Sequence, residues 1–395
     1  MTRKISVLLA AVLMLSACGA PKATDATSSA TKKVPAWDSP AAAAPKAEVE
    51  ALKAKVLDIC RRANLPSMQV CYTEPGKTIA FTVTNEEFYA VPEHAKYLFR
   101  PLDNQTQYEA CSISKVPLSY LACKMADEGK IDLDKPLYDY FPQILGYFAD
   151  GQDLERVKRL TPRICMTHRT GLDNKTYKEK QMEFKFPEGE YHYSGPGIFL
   201  LQRTLEHIWG EPLYDYSKRE LFDPLGMHHT NYTWQSYNDT LSPYGFLTDT
   251  VTFNKWGRDG KPRANAAYSM RTTAEEFTKF LYFWMDGADL SPEMYKAMTE
   301  KYVLAIDGGE VGKAYRGLGW VVCEDAELGH FIYHGASNRS FRGMMGCFPE
   351  QRRTFVYFFN GTSENYNVHG PMTQAILGTS GFATPWRSGK ALPVK

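Results

Sequence analysis

The chain has 395 residues, of which 44% are hydrophobic and 23% charged, and its net charge is close to zero at +1. This balance is typical of a globular protein with enough chain for one large core or two smaller ones. Because the charges nearly cancel, the composition lacks the strong positive field of nucleic-acid-binding proteins, and we expect no nucleic-acid partner.

The N-terminus has the architecture of a secretion signal. In MTRKISVLLAAVLMLSACGA, two early positive charges precede an apolar run that is too short to span a bilayer. The run ends in LSAC, which resembles the lipobox of bacterial lipoproteins, whose cysteine is lipidated and becomes the mature N-terminus. The sequence therefore predicts a lipoprotein signal peptide at residues 1–18 and a lipid anchor on Cys18. An ordinary cleaved signal peptide with an incidental cysteine is the alternative.

Residues 19–46 are rich in Ala, Pro, Ser, Thr and Lys and have no periodic apolar face. Such a composition is typical of a flexible linker that holds a domain away from a membrane. We therefore expect a lipid-anchored protein of the cell envelope, on the periplasmic face of a membrane. In a Gram-negative cell this membrane is expected to be the outer one.

Residues 47–385 are predicted to form one domain. An apolar stripe at helical spacing predicts a helix over 47–64, and two strand-like runs at 67–74 and 77–85, joined by a Pro-Gly turn, predict a hairpin. Four strand-like runs return near the C-terminus, followed by a helix near 368–378. These runs are GLGWVVCED, GHFIYHGAS, GMMGCFPE and RTFVYFFNG.

Strands at both ends of this domain, with helices between them, predict an α+β fold in which both ends build one antiparallel sheet. Residues 47–105 and 305–385 are expected to form this α/β part, and residues 106–304 an inserted, mainly helical subdomain. Seven cysteines follow Cys18 without a CxxC pair or zinc-ligand spacing, so neither a metal nor a cofactor is predicted. An odd number leaves at least one unpaired within the monomer, and most are interpreted as small core residues. They are Cys60, Cys71, Cys111, Cys123, Cys165, Cys323 and Cys347.

The stretch ACSISKVPLSYLACK places three serines around one lysine. A serine becomes a nucleophile only when a base lies within hydrogen-bond reach. The apolar pattern predicts the start of a helix, on which residues three or four apart share a face. Ser114 therefore points away from Lys115, whereas Ser112 lies one turn before the lysine and Ser119 one turn after it. Because helical side chains lean toward the N-terminus, Lys115 leans toward Ser112, which is the candidate nucleophile.

Six passages, in order along the chain, resemble the class C β-lactamase and penicillin-binding-protein superfamily. This resemblance implies a β-lactamase/transpeptidase-like fold and the chemistry of a serine hydrolase, but it does not imply a particular substrate. The passages are TQYEACSISK (106–115), MTHRTGL (166–172), PEGEYHYSGPG (187–197), LFDPLGMHHT (221–230), AYSMRTTAEEFTKF (267–280) and YHGAS (333–337).

The resemblance implies the roles of three residues in catalysis. Ser112 is expected to be the nucleophile that accepts the acyl group, and Lys115 its base. Lys115 can act as a base only as a neutral amine, and both burial and the positive end of a helix disfavour its ammonium form. Tyr193 aligns with the family's tyrosine and is expected to relay a proton to or from the leaving group, with Tyr191 as the fallback.

The resemblance also places residues on a C-terminal strand. His334 occupies the position of the family's lysine or histidine and is expected to donate a hydrogen bond to the tyrosine or to a substrate carboxylate. A satisfied core histidine is the alternative. The backbone N–H groups of Ser112 and Ser337 are expected to form the oxyanion hole. Arg339 and Arg342 are interpreted as solvated residues at a strand edge rather than as contacts of an anionic substrate.

Two positions depart from the family's pattern. Gly195 stands where the family has an asparagine, so a side-chain amide that holds the lysine and the substrate amide is absent. Ala336 replaces the glycine of the third motif, and its methyl group is expected to crowd the approach of substrate to the strand. Both changes count against peptide or β-lactam turnover, but neither removes the acylation machinery.

The sequence thus predicts a cell-envelope serine hydrolase that cleaves esters or amides through an acyl-enzyme. An esterase, or a peptidase of D-amino-acid or peptidoglycan-like substrates, is preferred to an efficient β-lactamase. The alternative is a non-catalytic family member that binds cell-wall fragments or a protein partner. Intact Ser112, Lys115 and Tyr193 favour the enzyme, whereas Gly195 and Ala336 favour the alternative.

Overall fold

The computed structural model describes residues 43–247, 250–252, 264–338, 340–362, 366–379 and 390–393. The predicted signal peptide with Cys18, the linker up to residue 42, and Arg339 lie outside the described residues. Among the helices that are described, none is long and apolar enough to cross a membrane.

An antiparallel sheet of eight strands lies at the centre of the described structure. Its order is β2-β1-β8-β7-β6-β5-β4-β3, and every neighbouring pair is antiparallel. The sheet of the predicted α+β fold is therefore confirmed. In chain order the strands are β1 Ser67–Glu74, β2 Lys77–Thr84, β3 Val303–Asp307, β4 Gly312–Arg316, β5 Val321–Asp325, β6 Gly329–Ser337, β7 Arg342–Phe348 and β8 Arg353–Phe359.

The N-terminal and C-terminal parts of the domain meet within this sheet, one strand in from an edge. β1 pairs with β8, with Val70 opposite Tyr357. β2 and β3 are the two edge strands, so the insertion between them leaves the sheet at one edge and returns at the other. The sequence did not predict β3 and β4. β3 has no buried residue, and so it lacks the apolar pattern that reveals a strand.

Five of the described helices have at least nine residues, namely α1 Lys46–Arg62, α2 Lys115–Asp127, α3 Gly195–Trp209, α4 Ala274–Met285 and α5 His369–Leu377. Shorter α-helices are Glu86–Tyr89, Pro92–Ala95, Leu137–Tyr140, Leu154–Val157, Pro162–Met166, Leu213–Ser217, Asn238–Leu241 and Pro292–Met298. A π-helical turn spans Lys218–Phe222, and 3-10 turns span Cys111–Ser114, Pro142–Tyr147, Gly309–Val311 and Pro349–Gln351.

The region from 130 to 300 is less helical than the sequence predicted. α3 and α4 are its only described α-helices of more than seven residues. The others have at most seven residues, and one of them, Leu213–Ser217, continues into the π-helical turn Lys218–Phe222. Proline explains part of the difference, because it is tolerated at a helix start and disrupts a helix interior. Pro142 and Pro162 each open a short helix, and Pro136 directly precedes another.

Alternate residues of the central strands point into two cores. On β8, Tyr357 faces the core that also contains residues of α1 and α5, whereas Phe358 faces the larger core shared with the helical insertion. Because both faces of β8 are covered, its sequence reads as a continuous apolar run rather than as an alternating one. The nucleophile stretch belongs to the larger core, so the sheet and the insertion position it together.

Short strands complete the described structure. Tyr108–Glu109 pairs with Arg271–Thr272, and Gly245–Leu247 pairs with both Thr250–Thr252 and Gly361–Thr362. All seven cysteines after Cys18 are buried, as predicted for small core residues.

Candidate active site

The turn Cys111–Ser114 runs directly into α2 and carries Ser112. Cys111 has a φ of 49°, a left-handed conformation that is uncommon outside glycine. Ser112 follows this bend and is partly accessible, whereas residues 113–123 are all buried. Backbone conformations of this kind persist where the surrounding structure holds them, and they concentrate at functional sites.

The structure brings Ser112, Lys115 and Tyr193 together. Lys115 Nζ donates a hydrogen bond to Ser112 Oγ at 3.1 Å, and the Tyr193 hydroxyl donates to the same oxygen at 2.8 Å. Tyr191, the fallback residue, points elsewhere and accepts a hydrogen bond from Arg316 Nη2 at 3.0 Å. Either neighbour of Ser112 is within reach to take its proton once that neighbour is itself deprotonated.

The other two serines of the stretch serve the packing of α2. Ser114 Oγ accepts a hydrogen bond from the Met270 N–H at 3.0 Å and donates to the Cys111 carbonyl. Ser119 is fully buried, close to the backbone of Gly319. Of the three serines, Ser112 alone is not buried, in agreement with the choice made from helix geometry.

Lys115 begins α2 and has only 2% of its surface exposed. Its Nζ also donates to the carbonyl of Ala267 at 2.5 Å. Two side chains fix the turn that carries this carbonyl: Asn265 Oδ1 accepts from the Ala267 N–H at 2.9 Å, and Gln202 Oε1 accepts from the Ala266 N–H at 2.8 Å. A backbone carbonyl therefore holds the lysine here, without the side-chain amide that is missing at Gly195.

The environment changes the acidity of both neighbours of Ser112. Burial lowers the pKa of Lys115 below its usual 10.5, although the adjacent Tyr193 opposes this shift. Burial raises the pKa of Tyr193, but the positive charges of Lys115 and Arg316 outweigh burial, so the pKa falls below 10.0. Both groups thus move toward the range in which a general acid or base works near neutral pH.

His168, whose role the sequence analysis missed, supports Tyr193. The two rings pack with their centroids 4.4 Å apart, and His168 Nδ1 lies 3.0 Å from the carbonyl oxygen of Ser194. Burial, with added repulsion from Arg316 and Lys115, holds the pKa of His168 well below 6.5, so the ring is neutral. Its position within MTHRTGL was the one signal that pointed to it.

Arg316, at the end of β4, is a second site residue that the sequence analysis missed. Only 8% of it is exposed, and its guanidinium carbon lies 5.2 Å from the centroid of the Tyr193 ring. Its Nη2 donates to Tyr191, but its Nε and Nη1 have no hydrogen-bond partner among the described residues. No described carboxylate forms an ion pair with the guanidinium. A buried cation without a counter-ion is costly for folding, so its retention points to a functional role.

His334 lies on β6 and forms no hydrogen bond with Tyr193, which was one of its two expected partners; the other, a substrate carboxylate, stays a prediction. Its Nδ1 is 2.8 Å from the carbonyl oxygen of Gly335, and its Nε2 is buried without a hydrogen-bond partner among the described residues. Burial lowers its pKa well below 6.5, and the positive charges of Arg316 and Lys115 lower it further. The fixed positive charge beside Tyr193 is therefore Arg316, and His334 is neutral.

The free end of β6 borders the nucleophile. β6 and β5 pair only from Gly329 to Tyr333, whereas β6 continues along β7 as far as Ser337. This unpaired edge packs against the turn Cys111–Ser114. Ser337 is partly accessible there, and its expected role in the oxyanion hole stays a prediction.

Two interpretations of this strand region change. Ala336 is completely buried in the larger core, so the expected crowding of substrate by its methyl group finds no support. Arg342 pairs with Ser337 on one side and Phe359 on the other, so its interpretation as a residue at a strand edge is wrong. Arg342 is half-buried, and burial lowers its pKa.

Gly195 is the first residue of α3, directly after Tyr193 and Ser194. Its N–H has no partner within the helix, as is general for the first turn, and it donates to Asn174 Oδ1 at 2.8 Å. Asn174 belongs to the loop that follows MTHRTGL. The loop therefore fixes the start of the helix that positions Tyr193.

The sequence model of the beta-lactamase family matches residues 46–377. The chain is 21% identical over 282 residues to the protein flp of Staphylococcus aureus (strain NCTC 8325 / PS 47), and 23% identical over 296 residues to a penicillin-binding protein of Bacillus subtilis (strain 168). Each alignment covers 66% of this chain, but only 54% and 62% of the respective relatives. The chain thus spans little more than half the length of these curated relatives.

Solved structures share the fold. A class C beta-lactamase superimposes with a TM-score of 0.65 at 16% identity, covering 84% of this chain and 96% of that one. The D-alanine carboxypeptidase AmpC from Burkholderia cenocepacia superimposes with a TM-score of 0.63 at 17% identity, covering 84% and 99%. At such identities the likeness concerns the fold alone. Together with the family match over most of its length, it shows that this chain belongs to the beta-lactamase family, whose members are generally serine hydrolases.

Proposed function

We propose that this protein is a serine hydrolase that cleaves ester or amide bonds through an acyl-enzyme on Ser112. The observation that carries the proposal is the pair of hydrogen bonds to one accessible serine oxygen, from Lys115 at 3.1 Å and from Tyr193 at 2.8 Å. Membership of the beta-lactamase family supports it. A serine with a purely structural role has no need of a buried lysine whose pKa is lowered.

Acylation uses the three residues in turn. The neutral Lys115 amine takes the Ser112 proton while Oγ forms a bond to the carbonyl carbon of the substrate, whose π electrons move onto its oxygen. The backbone N–H groups of Ser112 and Ser337 stabilise this oxyanion. As the carbonyl re-forms, the bond to the leaving group breaks, and the leaving group takes the proton of Tyr193. Lys115 then returns its proton to the Tyr193 oxygen.

Deacylation uses the same groups with water as the nucleophile. The Tyr193–Lys115 pair takes one proton from the water molecule as its oxygen attacks the ester carbonyl of the acyl-enzyme. The bond to Ser112 Oγ breaks, and Oγ regains a proton from the pair. The products are the free acid and the original enzyme, so the protons balance over one turnover.

The charges around the nucleophile favour a substrate that carries an anionic group. Arg316 is a fixed cation beside Tyr193, and its charge lowers the pKa of both His168 and His334. Penicillin and D-alanine, which appear in the names of two relatives, both bear a carboxylate. We therefore propose an ester or amide of D-amino-acid or peptidoglycan type as the substrate.

A fluorophosphonate probe tests the catalytic proposal, since only an activated serine reacts quickly with it. We expect the native protein to be labelled on the peptide that contains Ser112, and both heat-denatured protein and Ser112→Ala to remain unlabelled. A folded native protein that binds peptidoglycan fragments without being labelled would instead support the non-catalytic alternative.

We also propose that the enzyme is anchored in the cell envelope through Cys18, on the evidence of the LSAC motif behind a short apolar run. Cys18→Ala should move the protein from the membrane fraction to the soluble fraction. Ser16→Ala, which leaves the cysteine in place, is the matched control. Unchanged membrane association of Cys18→Ala would refute the anchor.

A further inference from the structure

The space beside Gly195 is occupied by a residue from a distant part of the chain. A Cβ atom at position 195 would overlap the hydroxyl of Tyr177, and it would lie 3.0 Å from Tyr177 Cζ and 3.2 Å from Ala267 Cβ. Real Cβ contacts are rarely this short, so Tyr177 stands where a side chain of residue 195 would begin. This is the position at which the family has its asparagine.

Tyr177 is held in this position by its surroundings. Its ring packs edge-on against Tyr268, with centroids 5.3 Å apart, and against Phe199, with centroids 5.9 Å apart. Asn174, three residues earlier in the same loop, accepts the N–H of Gly195 at 2.8 Å. One loop therefore supplies both a cap for α3 and a hydroxyl at the missing side chain.

The Tyr177 hydroxyl is available for a ligand. Burial raises its pKa, so the group remains a neutral hydroxyl that both donates and accepts. Among the described residues no group forms a hydrogen bond with it. The hydroxyl lies beside Gly195, two residues after Tyr193, and the Tyr193 hydroxyl is hydrogen-bonded to the nucleophile.

We propose that Tyr177 is a substrate-binding residue whose hydroxyl replaces the absent asparagine and binds the amide of the acyl group. The inference rests on the proposed function, because it concerns the substrate of that same site. On this proposal, glycine is required at position 195 because any side chain there would overlap the Tyr177 hydroxyl. It also predicts that substrates with an amide beside the reacting carbonyl depend on Tyr177, whereas simple esters do not.

Tyr177→Phe is the direct test, because it removes the hydroxyl and keeps the ring packing. The test compares the acylation rate constant for a fluorescent penicillin with kcat/KM for p-nitrophenyl acetate, both measured on the full chain. Loss of one hydrogen bond to the amide should slow penicillin acylation roughly fivefold to tenfold relative to the ester. Tyr214→Phe, which removes a hydroxyl on the helix Leu213–Ser217, is the matched control and should leave this ratio unchanged.

A second pair of variants tests the shared space. Gly195→Asn alone should lower penicillin acylation, since the added side chain displaces Tyr177. In the Tyr177→Ala background, Gly195→Asn should instead raise penicillin acylation, because the carboxamide then has room to take over the contact. If Gly195→Asn lowered penicillin acylation equally in the native chain and in Tyr177→Ala, the proposal would be contradicted.

The outcomes separate the two proposals. If the native protein reacts with neither the fluorophosphonate nor the ester, the proposed function fails, and the role of Tyr177 fails with it. If the ester is hydrolysed but Tyr177→Phe leaves the ratio of the two rates unchanged, only the role of Tyr177 is overturned. That role is also overturned if the ester is hydrolysed and the penicillin never acylates the native protein.

Discussion

The site has two sides that are built differently. On the nucleophile side, Ser112 and Lys115 lie three residues apart at the start of one helix, and Tyr193 lies two residues before another. On the sheet side, Ala336 on β6 departs from the family pattern, and the cation beside Tyr193 is Arg316 from β4. The other departure, Gly195 at the start of α3, has beside it the hydroxyl of Tyr177 from a loop. Chemistry that depends on spacing within one element is retained, whereas binding groups are supplied by unrelated segments.

This contrast has a physical reason. Proton transfer requires donor and acceptor at about 3 Å, and residues three apart on a helix share a face on which their side chains can reach each other. A positive charge acts over a longer distance in a site of low dielectric. A cation on β4 can therefore influence the site as a cation on β6 would. Arg316 lowers the pKa of Tyr193 from a strand that lies two places away from β6 in the sheet.

The largest expected effect belongs to the nucleophile side. Lys115→Ala should reduce acylation by on the order of 10³-fold or more, about as much as Ser112→Ala, because the two residues act as one unit and their losses do not add. The measurement is the rate of labelling by the fluorophosphonate probe together with kcat/KM for an ester. The double variant should be no worse than either single one.

Lys124→Ala is the matched control for this prediction. Lys124 lies on the same helix and forms a surface ion pair with Glu128 at 3.4 Å, so its loss should change activity little. If Lys115→Ala keeps most of the activity, another base serves Ser112, and Tyr193 is the next candidate.

A smaller effect is expected on the sheet side, from Arg316→Met. Loss of the charge should lower kcat/KM at neutral pH by on the order of 10²-fold. Arg316 lowers the pKa of both Lys115 and Tyr193, so its removal raises both values. Because Lys115 must be neutral to act as base, the acid limb of the pH profile should move to higher pH. Arg316→Lys keeps the charge and should restore part of the rate.

Stability distinguishes this role from a structural one. The guanidinium is buried and unpaired among the described residues, so an apolar side chain of similar length should raise the free energy of unfolding by about 1 kcal/mol or more. Urea unfolding of Arg316→Met should therefore show a more stable, less active protein. A variant that loses both stability and activity would mean that Arg316 holds the strand in place.

On the nucleophile side, the pairing of Ser112 with Lys115 could be predicted from the sequence because helix geometry governs it. Tyr193, 81 positions from Ser112, was expected from the family resemblance alone. Helix spacing selects Ser112 over Ser114 and Ser119, and the structure shows Lys115 hydrogen-bonded to Ser112 Oγ. The central sheet was also predictable, since continuous apolar runs mark strands that are covered on both faces. Edge strand β3, without a buried residue, gave no such signal.

The sheet side could not be predicted because it depends on contacts between distant residues. Nothing in the neighbourhood of Arg316 indicates that it meets Tyr193, which lies more than one hundred positions earlier. Likewise, the sequence shows only that the family's asparagine side chain is missing at Gly195, and the fold is needed to show that Tyr177 occupies its space. Substitutions of this kind become visible only when the chain is folded.

The smallest effect is expected at Ala336, the second position that departs from the family's pattern. The sequence predicts that its methyl group obstructs substrate, so Ala336→Gly should then improve penicillin acylation. In the structure the residue is completely buried in the larger core and offers substrate no surface. We therefore expect both penicillin acylation and ester hydrolysis to stay within about twofold of the native rates.

The cost of Ala336→Gly should appear in folding instead. Glycine in a strand loses more conformational entropy than alanine, and the lost methyl group leaves a small void, so the free energy of unfolding should fall by about 1–2 kcal/mol. Urea unfolding measures this change. Ser337→Gly, at the partly accessible neighbour, serves as a comparison for the entropic cost of a glycine in the strand. Penicillin acylation that rises tenfold while ester hydrolysis stays constant would show that the methyl group does face the substrate, and it would place the end of β6 differently from the arrangement described above.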